Sequence, residues 1–221
     1  MTFVLGDIHG QYKALMQVLE RSGLDYERDR LVFLGDVVDR GGAPFSCIRE
    51  LMKIRDKVLI RGNHDQNFYQ FIRTGVDAFM GANGVAITKK LWQELDAEDR
   101  RQAADFFRLQ VPYYMDEERN LFTHGGFDPD VEVAKQEERV FAWDRSLWQL
   151  AVLRPEEKIS GREQFNAIYI GHTPTLLWQQ TTPMTCGGIT NLDTGAGFAG
   201  GRLTLMNLRT GAYFQSDSIE L

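Results

Sequence analysis

One pattern in the first half of the chain restricts its fold more than any other feature. A short apolar run is followed by a glycine-flanked polar cluster and then by a helical pattern. The apolar runs are residues 3–5, 31–34 and 58–60, and such runs are typical of buried strands. Strands that alternate with helices indicate βαβ units and a mainly parallel sheet. The polar clusters should therefore meet at the carboxyl ends of the strands, where open α/β sheets place their binding crevices.

The length of 221 residues predicts a single domain, residues 1–221, with enough chain to bury a core. From about residue 66 to 110 the sequence becomes helical and more polar. We interpret this segment as a helical insertion over one edge of the crevice, where substrate selectivity would lie. The alternative is a helical layer that only covers the sheet. Residues 203–208 and 212–215 should form a β-hairpin near the end of the chain.

Charge and cysteine usage exclude several classes of protein. A net charge of −6 argues against a protein that coats nucleic acid or an anionic membrane. Cys47 and Cys186 have no metal-binding or redox spacing, so we interpret them as thiols of a reducing compartment, with a disulfide as the alternative.

The first strand leaves no room for a signal peptide, and no apolar run approaches membrane-spanning length. We therefore expect a cytoplasmic protein with no nucleic-acid or membrane partner.

All the histidines of the chain lie within or beside a glycine-containing cluster at the end of a predicted strand. They are His9, His64, His124 and His172. A single histidine in such a place would be interpreted as a hydrogen-bonded loop residue, but the coincidence of all four indicates a shared site. Imidazoles gathered with carboxylates are typical of metal binding.

These strand ends supply ligands for two divalent ions. The predicted ligands are Asp7 and His9 for the first ion, Asp36 as a bridge, and Asn63, His124 and His172 for the second. Asp7 and His9 are two residues apart, so their side chains point the same way in an extended segment. A pair of ions lowers the pKa of a bridging water, neutralises phosphate charge and orients the phosphate for in-line attack. Nitrogen and oxygen ligands suit manganese, our first choice, with iron or zinc as alternatives.

The neighbouring residues offer a proton donor and phosphate ligands. His64 is the predicted general acid, and Asp39 would orient its imidazole and keep it protonated. Arg40 carries a planar guanidinium that suits bidentate contact with phosphate oxygens. The alternative for Asp39 and Arg40 is a salt-bridged turn, and Arg145 considered alone would be interpreted as a surface residue.

Taken in order, these motifs resemble the metallophosphoesterase superfamily, and more narrowly the PPP-type serine/threonine protein phosphatases of bacteria and phages. The matching segments are residues 6–10, 35–41, 61–65, 124–126 and 171–174. The resemblance implies an α/β fold, a β-sandwich of two mixed sheets flanked by helices. It implies the same metal ligands, the His64–Asp39 acid pair and phosphate binding by Arg40 and Asn63. It also assigns Arg145, in the run Trp-Asp-Arg, to the phosphate, and gives residues 192–196 a structural role.

The resemblance implies hydrolysis of phosphomonoesters by a dimetal-bound hydroxide without a phosphoenzyme. The expected substrates are phosphoserine and phosphothreonine in proteins, with phosphotyrosine as a further candidate. The main alternative is a diadenosine-polyphosphate hydrolase, whose family shares the first three motifs, and Thr173 and Pro174 favour the phosphatase. A non-catalytic binding protein on the same fold is the third possibility. The long C-terminal region of the eukaryotic enzymes is missing from this sequence, so no eukaryotic-type regulatory subunit is expected.

Overall fold

The computed structural model describes residues 1–78, 84–155 and 164–220, so residues 79–83 of the predicted insertion lie outside it. The described strands are β1 (Thr2–Leu5), β2 (Arg30–Phe33), β3 (Asp56–Leu59), β4 (Tyr113–Met115), β5 (Asn120–Thr123), β6 (Ala167–Ile170), β7 (Met184–Cys186), β8 (Ile189–Asn191), β9 (Thr204–Asn207) and β10 (Tyr213–Gln215). The described α-helices are α1 (Tyr12–Ser22), α2 (Pro44–Lys53), α3 (Asn63–Thr74), α4 (Val85–Glu94), α5 (Ala97–Leu109), α6 (Glu138–Trp143) and α7 (Ser146–Leu153).

The first sheet has the order β10-β9-β1-β2-β3. Its strands β1, β2 and β3 are parallel and in register, with Val4 opposite Val32 and Val32 opposite Val58. These are the three apolar runs of the sequence pattern, so the predicted parallel sheet is confirmed. β9 is antiparallel to β1 and forms the predicted hairpin with β10.

The second sheet has the order β4-β5-β6-β8-β7. Its strands β5, β6 and β8 are parallel, and β4 and β7 are antiparallel edge strands. The sequence analysis did not predict β7 or the helices α6 and α7. β7 has only 3 residues, and α6 and α7 have 6 and 8. Elements this short do not show a periodicity that separates a helix or strand from a loop.

The two sheets pack face to face, and helices cover their outer faces. Val32, Ile60, Phe122 and Leu192 belong to the apolar layer between the sheets. The buried face of α1 packs on the outer side of the first sheet, and α7 packs on the second sheet through Trp148. The predicted β-sandwich of two mixed sheets with flanking helices is thus confirmed.

The described part of the segment from 66 to 110 is helical. Phe68, Trp92, Phe106 and Phe107 of α3, α4 and α5 pack against the core on the outer side of the first sheet. α3 already begins at Asn63, so its first turn lies at the strand ends rather than behind them. Among the described residues, no helix is long and apolar enough to cross a membrane.

Candidate active site

The predicted site residues lie where parallel strands of both sheets end. Asp7 and His9 follow β1, Asp36, Asp39 and Arg40 follow β2, Asn63 and His64 begin the helix after β3, and His124 and His172 follow β5 and β6. The carboxyl ends of these strands share one edge of the sandwich, which brings the loops together. Each of the six predicted metal ligands is at most 5% exposed.

The backbone is unusual at this edge. Seven non-glycine residues in the described parts of the chain have a positive φ, and five of them are predicted site residues: His9 (48°), Asp36 (62°), Asp39 (69°), Arg40 (66°) and His172 (68°). Such conformations cost on the order of 1–3 kcal/mol each and occur where the surrounding structure enforces them. Histidine and aspartate tolerate this region better than other side chains, but arginine does not share that preference. Backbone strain is therefore concentrated at the predicted site.

Asp36 is shared by two buried clusters of ligand atoms. One cluster consists of Asp36, His9 and His64, and the other of Asp36, His124 and His172, with all ligand atoms of a cluster within 4.8 Å of one another. The Oδ2 atom of Asp36 lies 3.7 Å from His9 Nε2 and 3.3 Å from His124 Nε2. This central position is the one that the sequence analysis predicts for a bridging ligand.

Asn63 and Asp7 lie beside these clusters. Asn63 Oδ1 is 3.1 Å from His124 Nε2, so it adjoins the second cluster. Asp7 accepts the backbone N–H of His172 at 3.1 Å and is not a member of either three-residue cluster. His64 completes the first cluster in its place, which gives this histidine two geometrically possible roles, as a ligand or as a proton donor.

Ring hydrogen bonds orient three of the histidines toward the clusters. His9 Nδ1 and His124 Nδ1 each lie 2.8 Å from a backbone carbonyl, of Val38 and Leu34 respectively. A carbonyl can only accept, so these nitrogens donate and the Nε2 atoms face Asp36. His172 donates from Nε2 to the Trp143 carbonyl at 3.3 Å, which leaves Nδ1 for the cluster. Metal-binding histidines make this kind of hydrogen bond through their second nitrogen, so the arrangement fits divalent ions.

A buried chain of hydrogen bonds fixes the His64 imidazole. Its Nδ1 lies 2.6 Å from Asp39 Oδ2, and the Thr88 hydroxyl donates to Asp39 Oδ1 at 2.8 Å. The backbone N–H of Asp39 in turn donates to Thr88 Oγ1 at 3.0 Å. Sequence reasoning missed Thr88, because a threonine within a helical pattern carries no signal for a contact with a residue 49 positions away.

Both predicted phosphate-binding arginines lie at the edge of the clusters. Arg40 Nη1 is 2.6 Å from His9 Nε2, and its guanidinium lies 4.4 Å from the ring centre of Phe198. Phe198 is 39% exposed, so the guanidinium lies between the buried histidine and a ring at the surface. Arg145 donates from Nη1 to the His172 carbonyl at 2.9 Å, which places an otherwise exposed side chain beside the second cluster.

Comparisons with known proteins agree with this geometry. The model of the calcineurin-like phosphoesterases matches residues 2–176. The chain belongs to this family. The chain is 28% identical to serine/threonine-protein phosphatase 1 of Salmonella typhimurium over 216 residues, which are 94% of this chain and 91% of that protein.

Two further similarities concern tetraphosphatases. The symmetrical bis(5'-nucleosyl)-tetraphosphatase of Chromohalobacter salexigens is 30% identical over 148 residues, 66% of this chain and 52% of that protein. The chain thus spans about half the length of this curated relative. A solved structure provisionally assigned as a diadenosine tetraphosphatase superposes with a TM-score of 0.73 at 16% identity, over 100% of this chain and 94% of the other. At that identity the structural similarity shows the fold.

The protonation states of three predicted ligands suit metal binding, which requires lone pairs or negative charge, whereas Asp7 and His124 would have to release a proton to an incoming ion. Burial and the charge of Asp193 raise the pKa of Asp7 well above its usual range. Burial alone would lower the pKa of His124, but Asp36 and Asp7 outweigh it and raise that pKa to about 9. Burial and the Arg40 charge hold the pKa of His9 well below its usual range. Burial, His124 and Arg145 lower the pKa of His172 to about 2. Burial alone would raise the pKa of Asp36, but His124 and other histidines outweigh it and lower that pKa well below the usual range. Asp36 is therefore ionised, and His9 and His172 are neutral.

Asp65 is a second residue of the site that sequence reasoning missed. It is fully buried and accepts the backbone N–H groups of Asp36 and Val37, each at 2.9 Å, and the Gln110 side chain at 2.7 Å. These bonds hold the left-handed turn that carries the shared carboxylate. The available signal was the place of Asp65 directly after His64, but the sequence did not indicate which backbone groups it would bind.

Proposed function

We propose that the chain hydrolyses phosphomonoesters with two bound divalent ions and is a PPP-type protein phosphatase of the bacterial and phage branch. The observation that carries the proposal is the buried Asp36 between two histidine clusters, with the His64–Asp39 pair and Arg40 beside it. Membership of the calcineurin-like phosphoesterases supports the reaction class.

The metal ligands would be Asp7 and His9 for the first ion, Asp36 for both, and Asn63, His124 and His172 for the second. When bound, two divalent ions make water a nucleophile near neutral pH and neutralise the charge of the phosphate. Manganese is our first choice, and iron or zinc would suit the same nitrogen and oxygen ligands. The carbonyl-bound rings of His9 and His124 keep their Nε2 atoms directed at Asp36, so the protein holds the ligands in place before any ion binds.

His64 would supply the proton for the leaving oxygen. Asp39 binds Nδ1 at 2.6 Å and is itself fixed by Thr88, so the imidazole cannot rotate freely and Nε2 is the atom that gives the proton. Nε2 lies 3.4 Å from Arg40 Nη2, so a phosphate bound by Arg40 would have its ester oxygen near the donor.

Arg40 and Arg145 would bind the non-bridging phosphate oxygens from two sides of the clusters. One guanidinium group can donate two parallel hydrogen bonds to such oxygens, and it keeps its positive charge at any physiological pH. Asn63 lies in the first turn of α3. The amino-terminal end of a helix favours anions, which supports the predicted contact between Asn63 and the phosphate.

A phosphoprotein is the substrate we favour. The similarity to the Salmonella serine/threonine-protein phosphatase extends over nearly the whole of both chains, 94% and 91%. The similarity to the Chromohalobacter tetraphosphatase covers 66% of this chain and 52% of that one. We therefore propose phosphoserine and phosphothreonine residues as substrates, with phosphotyrosine as a further candidate, in the cytoplasm and without a eukaryotic-type regulatory subunit.

Hydrolysis of diadenosine polyphosphates is the second candidate. The observation in its favour is the level of identity, 30% and 32% with the tetraphosphatases of Chromohalobacter salexigens and Pseudomonas fluorescens, against 28% with the phosphatase. The proposed clusters and arginines would serve either substrate, because in both reactions water attacks a phosphorus atom and displaces an oxygen leaving group.

One substrate panel separates the two candidates. Manganese-loaded protein is assayed with phosphoserine, phosphothreonine and phosphotyrosine peptides and with diadenosine tetraphosphate under identical conditions. We expect the highest kcat/KM on a phosphopeptide. A higher kcat/KM on the dinucleotide would overturn the phosphatase assignment, and no hydrolysis of any of these esters would overturn the reaction itself. An Asp36→Asn preparation controls for contaminating phosphatases.

A further inference from the structure

Asp193 is a buried carboxylate at the edge of the sandwich that carries the predicted metal ligands. Only 1% of its surface is exposed. β6 and β8 are parallel neighbours with Ile170 opposite Asn191. His172 and Asp193 each follow this aligned pair by two residues, so the two side chains leave adjacent strands at the same edge.

The chain at Asp193 also lies against the loop that carries Asp7. A Cβ on Gly6 would be 2.2 Å from the Leu192 carbonyl oxygen, so the two backbones meet at a distance that only glycine permits. Asp7 and Asp193 each follow this contact by one residue. Asp193 is therefore a close neighbour of the carboxylate that is predicted to hold the first ion.

The two oxygens of Asp193 differ in their partners. Oδ1 accepts the backbone N–H of Gly195 at 3.1 Å, whereas the buried Oδ2 has no hydrogen-bond partner within the described parts of the chain. The turn itself is held by other bonds: the N–H of Asp193 donates to Asn191 Oδ1 at 2.9 Å, and its carbonyl accepts from Thr175 at 2.8 Å. One side-chain oxygen is enough for this turn, and an unsatisfied buried acceptor is unfavourable.

We propose that Asp193 is a further carboxylate of the metal centre, whose Oδ2 supplies negative charge beside the ion that Asp7 and His9 would hold. This role differs from the structural one that the sequence predicts for residues 192–196. Asp193 would act as a positioning residue for the ion and its ligand Asp7. The inference rests on the metal centre of the proposed function and does not depend on which phosphoester is the substrate.

The test is Mn²⁺ binding to the full chain, measured by isothermal titration calorimetry together with the metal content of dialysed protein. The variant is Asp193→Asn, whose Oδ1 can still accept from Gly195. The matched control is Asp29→Asn, because Asp29 is also buried but precedes β2 at the opposite end of the sheet, paired with the Met1 amine and the Asp25 amide. Loss of a group that supports a metal ligand typically weakens binding ~10- to 100-fold.

We expect Asp193→Asn to weaken one of the two Mn²⁺ sites by about this factor, while Asp29→Asn binds as the wild type does. A purely structural Asp193 would instead lower the melting temperature of the metal-free protein and leave both affinities unchanged, and that result would overturn the inference. If Asp193→Asn does not fold, Asp193→Ser is used, since a hydroxyl can also accept from Gly195. Wild-type protein that fails to bind two Mn²⁺ ions would contradict the metal centre as well, which distinguishes the two failures.

Discussion

Replacing His64 by asparagine tests the most specific chemical role in the site. The imidazole is bound at Nδ1 by Asp39 at 2.6 Å and is nearly inaccessible to water. Water therefore cannot easily act as the proton donor when the imidazole is removed. Loss of a positioned general acid costs ~10²- to 10⁴-fold in rate, or roughly 3–5 kcal/mol in activation free energy. We expect a decrease of this size in kcat for a phosphoserine peptide.

Two comparisons make this test specific. The decrease should be much smaller with p-nitrophenyl phosphate, because nitrophenolate leaves without a proton whereas the serine alkoxide does not. The first cluster also permits His64 to act as a ligand, so the metal content of the variant is measured by elemental analysis. We expect two ions in His64→Asn and fewer in a His124→Asn control. Equal losses on both substrates, together with the loss of one ion, would refute the general-acid role, as would normal turnover of the phosphopeptide.

Two further substitutions test the shared carboxylate. Asp36→Asn should lower turnover and Mn²⁺ content together, because one side chain belongs to both clusters, and two bound ions with normal turnover would contradict this. Gly62→Ala should destabilise the protein by about 1–3 kcal/mol and weaken Mn²⁺ binding, because its Cβ would lie 2.1 Å from Asp36 Oδ1. Gly42→Ala is the control, because a Cβ there would meet open space, and its free energy of unfolding should change by no more than about 0.5 kcal/mol. The free energies are measured by urea denaturation. Equal denaturation midpoints for the two glycine variants would contradict the expected cost of the contact with Asp36.

The sequence predicts the central strands and the convergence of the site for a physical reason. The runs 3–5 and 31–34 are apolar throughout because their strands are buried on both faces, whereas the run 58–60 ends the edge strand β3, in which Val58 is half-buried. Parallel strands carry their carboxyl ends to one edge, so glycine-flanked clusters that follow such strands must lie near one another. This rule locates His9, Asp36 and His64 without any knowledge of contacts.

The supporting residues could not be found in the same way. Thr88 reaches Asp39 from α4, and Asp193 reaches the loop of Asp7 from β8, in each case across a long sequence separation. Thr88 lies in a pattern that does not differ from an ordinary helix, and the resemblance gives the segment 192–196, which contains Asp193, only a structural role. Their roles arise because distant segments of the chain pack together. Neither the periodicity of the sequence nor the spacing of its motifs predicts that packing. The same holds for the bonds from Asp65 to the Asp36 turn.

The site can exist only when the two sheets are packed together. Asp36 belongs to the first sheet, and His124 and His172 belong to the second. His124 is oriented by the Leu34 carbonyl of the opposite sheet, and the backbone of His172 donates to Asp7 across the same boundary. Without ions, burial at this boundary and next the charge of Asp193, which follows β8 of the second sheet, raise the pKa of Asp7. Cations would remove that repulsion, so metal binding and packing of the sheets should stabilise each other. The left-handed backbone at His9, Asp36 and His172 is maintained at the same boundary, which explains how strained residues persist there: the interface between the sheets stabilises the conformations that the metal ligands require.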